Sequence, residues 1–280
     1  MTRSPPAPPP SRRARAARAA ALLLALAPLP GPVRAAGFSA RPAEAPSQAR
    51  LVAGRDEAGL HVAGLEIRLA PQFITYWRDP GDAGVPPTVS FTGSANLKSA
   101  TLRYPAPQRL DEAGAVAFGY AGAVTFPILV APLDPGKPVD LAVAIDYATC
   151  HDICLPAHAE LRLTLDGRPS EAADAVAAAL ASVPRPSTVG APGEPGIARL
   201  VPGTDGGFSA AATGAGPGSA LFVEAPEGWA YEVGTPRQDG AGLVFPVKRV
   251  EHPAGADRPS APLTLTLVAP AGAIEVSAKP

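Results

Sequence analysis

Two cysteines, Cys150 and Cys154, carry most of the chemistry that can be read from this 280-residue chain. They stand four positions apart in Tyr147-Ala148-Thr149-Cys150-His151-Asp152-Ile153-Cys154-Leu155-Pro156. A disulfide needs Cα atoms about 4.4–6.8 Å apart, whereas four steps of extended strand separate them by about 13 Å. If the two cysteines bond, the chain must turn between them. Pro156 suits such a turn better than a continuing central strand.

Three chemistries fit the pair. One is a structural staple, common in oxidising compartments. It would close only five residues, a constraint worth about 2 kcal/mol in the loop-entropy account. A second is a soft-metal site in which Cys150 and Cys154, with His151 or His158, hold Cu(I) or zinc. The spacing lacks the paired C-x-x-C of strong zinc sites, and the single methionine is the initiator. The third is thiol exchange, because a short-loop disulfide at an exposed turn is open to an attacking thiolate. A protonated His151 favours a thiolate on Cys150, and Asp152 opposes it. Exchange is the reading we favour. No cofactor is expected: the chain shows no glycine-rich phosphate loop and no Ser-His-Asp context. His61, His252, Asp79 and Asp82 have no spacing that suggests metal or acid–base work.

The elements that must position the pair read as strands. Leu65, Ile67 and Leu69 alternate with Glu66 and Arg68, as Leu161, Leu163 and Leu165 do with Arg162 and Thr164, the period-two signature of half-buried strands. Residues 88–91, 100–104, 123–130 and 139–147 are further candidates. Asp79-Pro80-Gly81, Val85-Pro86-Pro87 and Asp134-Pro135-Gly136 punctuate them as turns. The composition, with 36 prolines and 28 glycines, suits short strands joined by tight turns. The predicted fold class is all-β: an immunoglobulin-like antiparallel β-sandwich over residues 51–168, then a second, smaller β domain, with one short helix between them. The helix is expected over residues 172–181, with Ser170 as N-cap and Pro184 as its stop. Residues 184–196 read as a Pro/Gly linker, so residues 169–196 join the two domains. Residues 197–280 carry no legible chemistry despite Trp229 and Tyr231, and a scaffold or docking role is expected of them. Trp77 reads as a core or turn-plugging aromatic.

The first 35 residues read as an address. Arg12, Arg13, Arg15 and Arg18 precede an apolar run at residues 19–29, and Val33-Arg34-Ala35 offers a small-x-small exit, the pattern of a cleaved signal peptide. Cleavage is expected near Ala35 or Ala36, followed by a loose arm over residues 36–50. Ser11-Arg12-Arg13 hints at twin-arginine export, with the general secretory route as the alternative. The apolar run is shorter than the about 20 residues a membrane helix requires, so no stable membrane insertion is expected. Six arginines and no acid lie in residues 1–35, which leaves 18 basic against 25 acidic side chains beyond them. That acidic balance argues against nucleic acid as a partner.

The segment from Leu51 to Leu165 resembles the periplasmic N-terminal domain of the DsbD thiol reductases, especially the ScsB-like branch associated with copper tolerance. The likeness rests on Thr75-Tyr76-Trp77-Arg78-Asp79-Pro80-Gly81-Asp82-Ala83-Gly84-Val85-Pro86-Pro87, on Tyr104-Pro105-Ala106-Pro107, on Phe126-Pro127, and on Cys150-x3-Cys154-x-Pro156. The resemblance implies an immunoglobulin-like sandwich in the periplasm with redox-active Cys150 and Cys154. Its donor would be a membrane-embedded thiol reductase, and its clients thioredoxin-like or disulfide-bearing periplasmic proteins. Family members continue into membrane and thioredoxin-like domains, neither of which precedes Pro280, so the donor is expected to be a separate protein. Members also shield the cysteines with an aromatic that follows an Asp-Glu pair. Here Asp111-Glu112 is followed by Ala113, which leaves Phe118 and Tyr120 as the nearest aromatic candidates.

Overall fold

Strands with one apolar face must bury that face against another layer. In the computed structural model, which describes residues 1–2 and 45–279 except 83, 113 and 241, two sheets meet this demand. Their strands are β1 (Ser47–Ala53), β2 (His61–Leu69), β3 (Ile74–Gly81), β4 (Thr88–Ser90), β5 (Leu97–Leu102), β6 (Gln108–Glu112), β7 (Ala115–Ala121), β8 (Ala123–Pro132), β9 (Val139–Cys150) and β10 (Cys154–Leu165). One sheet runs β1-β2-β8-β5, and the other β10-β9-β3-β7-β6 with β4 also on β9. Leu51, Leu65, Ile67, Phe126 and Ile128 of the first sheet face Trp77, Leu141, Val143 and Ile145 of the second, all at most 2% exposed. The architecture is an immunoglobulin-like antiparallel sandwich.

Helix α1 (Ala173–Ala181) follows. It lies on the outer face of the first sheet, where Val176 packs with Val52 and Val62. Gly64 permits the approach: a Cβ there would stand 2.8 Å from Val176 Cγ2 and 2.9 Å from Thr125 Cγ2. The N-cap is Ala172, without a side-chain bond, and not Ser170. The Ser170 hydroxyl instead donates to the Ala53 carbonyl and accepts from the Ala172 N–H, tying the helix entry to β1.

Nine further strands form a second sandwich: β11 (Arg185–Ser187), β12 (Gly196–Pro202), β13 (Phe208–Thr213), β14 (Ala220–Glu224), β15 (Ala230–Val233), β16 (Arg237–Asp239), β17 (Gly242–Glu251), β18 (Leu263–Ala269) and β19 (Gly272–Ala278). Its sheets run β11-β19-β18-β14 and β12-β13-β17-β15, with β16 also on β17. Ile197, Phe245, Leu263, Leu265, Leu267 and Val276 form its own core. Phe222 of β14 belongs instead to the core of the first sandwich.

The structure corrects several sequence expectations, most of them through sheet edges. The stretch read as a loose arm is partly a strand, because residues 47–50 pair with residues 66–69 in β1 and β2. Ser47 concealed this: a polar residue, it is 3% exposed and its hydroxyl bonds the Tyr147 hydroxyl at 2.8 Å. Pro156 lies within β10 opposite Ala148, and Pro186 within β11 beside Glu275. Both are edge strands, where a missing N–H is tolerated. The region read as linker thus contributes β11, and Asp79-Pro80-Gly81 closes β3 instead of separating strands. Glu66 is 9% exposed and paired with Arg50 and Arg68. The leader, its cleavage point and residues 36–44 lie outside the described residues.

The close seating of α1 gives a test. Gly64→Ala should destabilise the protein by about 1–3 kcal/mol through overpacking. In urea titrations, combination with Val176→Ala should cost less than the sum of the two single changes, since the same methyl is involved.

Candidate functional site

Side chains alternate across a strand, and on β9 that rule fixes where Cys150 goes. Val139, Leu141, Val143, Ile145 and Tyr147 belong to the inner core, so Ala148 and Cys150 fall on the outer face of the sheet. There Cys150 is buried with Tyr76, Ala117 and Ala148, flanked by Ile74 and Leu110. The same alternation turns Tyr76 of β3 outward and Trp77 inward. It turns Ala117 of β7 outward and sets Glu112 on the face of Leu110 in β6.

β9 and β10 form one hairpin in which Cys150 stands directly opposite Cys154. A disulfide joins them, with Cα atoms 4.1 Å apart. His151, Asp152 and Ile153 make the turn. The two residues are unlike: Cys150 is fully buried, whereas Cys154 is exposed.

One hydroxyl touches both. Tyr76 Oη lies 2.6 Å from Cys150 Sγ and 3.4 Å from Cys154 Sγ, and 2.7 Å from Glu112 Oε1. A phenol has a single proton, and a carboxylate accepts more strongly than a disulfide sulfur. In the oxidised form the proton is therefore donated to Glu112, with the phenol oxygen packed against Cys150. Reduction turns Cys150 into a thiol or thiolate that competes for that proton. Glu112 Oε1 is also 3.1 Å from Cys154 Sγ, a contact that becomes a hydrogen bond once Cys154 carries a proton. Glu112 Oε2 is buried without a partner. Burial first, then the neighbouring Glu112, hold the Tyr76 phenol well above the usual tyrosine range. It stays a proton donor at any physiological pH. Gly84 covers the ring: its φ is +100°, and a Cβ there would lie 2.1 Å from Tyr76 Cε1.

The other sequence candidates are dispersed. His151 pairs with Asp152 at 3.1 Å and sets its ring 5.7 Å from that of Phe73, above the turn. Phe118 and Tyr120, considered as shields, share the inward parity of β7. Phe118 packs on Phe222 at 4.9 Å; Tyr120 packs on Phe126 and donates to the Pro105 carbonyl. The aromatic over the sulfurs is Tyr76. His158 is held by Asp146 at 2.8 Å, which raises its pKa, and is not grouped with the cysteines. The metal-capable group among the described residues is instead Glu112, Cys150 and Cys154, with ligand atoms within 4.8 Å of one another. Sequence reasoning missed Tyr76 and Glu112 as site residues, although both stand in the motifs quoted above. Their signal was parity: Tyr76 and Ile74 share a face, as do Leu110 and Glu112.

Residues 42–166 match the family model described as "Thiol:disulfide interchange protein DsbD, N-terminal". That segment is similar to the DsbD N-terminal family over a little under half of the chain. Among solved structures, the N-terminal periplasmic domain of ScsB from Proteus mirabilis superposes with a TM-score of 0.67 at 24% identity, covering 87% of this chain and 96% of that one. Such coverage extends past residues 42–166 into the second sandwich, so the two-sandwich architecture is shared. No curated protein sequence matches significantly. The family is described as one of thiol–disulfide interchange, and the matched segment contains the Cys150–Cys154 disulfide. No helix among the described residues is long and apolar enough to cross a membrane.

The raised phenol predicts an alkaline weakness. The folded state keeps Tyr76 protonated to higher pH than the unfolded chain, where the phenol titrates near about 10. Its stabilising contribution is therefore complete below that value and is lost as pH rises above it. Urea titrations between pH 8 and 11 should show stability falling in wild type, and falling less in Tyr76→Phe.

Proposed function

We propose that this is an exported, periplasmic thiol–disulfide exchange protein that takes reducing equivalents from a membrane-embedded thiol reductase and passes them to thioredoxin-like or disulfide-bearing clients. The observation that carries the reading is the asymmetry of the pair: an exposed Cys154 bonded to a buried Cys150 whose sulfur Tyr76 is poised to serve as hydrogen-bond donor.

The steps follow from access. A donor thiolate attacks Cys154 Sγ, the sulfur in reach; the Cys150–Cys154 bond breaks, and Cys150 leaves as a thiolate stabilised by the Tyr76 hydroxyl. A second donor thiolate attacks the donor's own sulfur in the mixed disulfide and releases Cys154. The donor is then oxidised by two electrons and the pair reduced. In the forward direction Cys154 attacks the client disulfide. Cys150 then attacks Cys154 Sγ, restoring the disulfide and freeing the client dithiol. Ile153 and Val85, 69% and 60% exposed, offer apolar contact beside the turn and the Tyr76 cover.

A second reading, a soft-metal site relevant to copper tolerance, is favoured by one observation. After reduction two thiolates would lie with the Glu112 carboxylate within 4.8 Å of one another, the thiolates suited to Cu(I) or zinc and the carboxylate to zinc.

Redox titration and trapping decide between them. In glutathione buffers the pair should show a potential within the exchange range of about −120 to −270 mV; a value below about −300 mV indicates an inert staple. Cys150→Ser should accumulate mixed disulfides through exposed Cys154, and Cys154→Ser should accumulate few, as resolved by non-reducing electrophoresis. Tight Cu(I) binding by the reduced protein with no trapped partner would favour the metal reading.

A further inference from the structure

Strand β3 loses its sheet partners immediately after Tyr76. Its ladder with β9 covers Ile74 and Thr75. Its ladder with β7 covers Ile74, Thr75 and Tyr76, then resumes only at Gly81. Trp77, Arg78, Asp79 and Pro80 thus have no residue opposite them in either ladder.

What grips them comes from the second sandwich. On β14, Leu221 and Val223 point into the second core, so Phe222 and Glu224 face the first sandwich. Phe222, 1% exposed, meets the Trp77 ring edge-on at 5.8 Å. Arg78, with its guanidinium 4.5 Å from the centre of the Trp77 ring, donates Nε and Nη2 to Glu224 at 2.8 and 2.6 Å. The same Nη2 also donates to Glu275 of β19. Burial would lower the Arg78 pKa, but the bonds to Glu224 and Glu275 outweigh it and raise it instead, so the charge is permanent. Phe222, Thr266 and Glu275 are successive cross-strand neighbours in one sheet. A single rigid surface therefore supplies these contacts. Only a planar, forked cation can engage both carboxylates in this way.

We propose that the second sandwich is the positioning element for Tyr76, with Glu224 and Glu275 acting through Arg78 to fix the unladdered end of β3. The inference rests on the exchange reading of Cys150 and Cys154. The hydroxyl sits 2.6 Å from Cys150 Sγ; a displacement of about 1.5 Å, or a smaller one with loss of alignment, breaks its hydrogen bond to sulfur. Arg78 is two residues from Tyr76, close enough for its release to produce such a shift.

The test is the equilibrium constant for reduction of the pair by glutathione, read by alkylating free thiols. Loss of the hydrogen bond to Cys150 in Tyr76→Phe should lower that constant about tenfold, close to 30 mV. Glu224→Gln/Glu275→Gln should lower it in the same direction by about three- to tenfold, since a charge-assisted fork is lost. Combined with Tyr76→Phe, it should lower it no further. Asp239→Asn, which breaks the Arg199–Asp239 pair on another sheet of the second sandwich, should leave it unchanged. Thermal melts by circular dichroism verify folding. Should the double variant not fold, Arg78→Lys gives the same reading, because a lysine cannot span both carboxylates. Unchanged constants in a folded variant, or shifts that add in full to that of Tyr76→Phe, overturn the positioning role alone. A wild-type pair that never exchanges with glutathione overturns the exchange reading and this inference with it.

Discussion

Side chains on a β-strand can point only to alternate faces, and in this protein that restriction separates structure from chemistry within single strands. On β9 the odd-numbered residues from Val139 to Tyr147 fill the sandwich while Cys150 is delivered to the other side. On β3 the neighbours Tyr76 and Trp77 part in the same way, one to the sulfurs and one to the core. A slip of one residue in either strand would exchange the two sets. The dense apolar core is thus what guarantees the register, and the register is what brings phenol and sulfur together.

The site that results is small and uneven. A single hydroxyl and a single carboxylate lie against a buried Cys150 and an exposed Cys154, so the two cysteines sit in different surroundings. The buried, unpaired Glu112 oxygen and the raised phenol of Tyr76 are both consequences of holding polar groups on an otherwise apolar patch. Such an arrangement is costly in isolation. It persists because Gly84, Leu110 and Ile74 enclose the patch without supplying competing partners.

Much of this was legible from residue types alone. The alternation at Leu65–Ile67–Leu69 and Leu161–Leu163–Leu165 and the spacing of the two cysteines predict a sandwich with a turn between the cysteines; the structure has both, the turn closing a hairpin whose return strand starts at Cys154. The losses have physical causes. Proline reads as a break, yet Pro156 and Pro186 sit in edge strands that do not need its N–H. Ser47 reads as loop, yet it is buried because Tyr147 satisfies its hydroxyl. Phe118 and Tyr120 were considered as shields from their proximity in sequence, whereas parity sends them inward. Tyr76 and Glu112 are 36 residues apart; only the pairing of β3 with β7 and of β7 with β6 unites them, and no local pattern encodes that.

The edge position of β10 has one more consequence. An exposed sheet edge is a template on which other chains can add strands and propagate into aggregates. This edge begins at exposed Cys154, and two residues on it carries Pro156, which has no N–H to offer, followed by exposed His158, Glu160 and Arg162. The protein can thereby present its sulfur at a sheet margin while denying that margin the continuous hydrogen-bonding row on which fibrillar stacking depends.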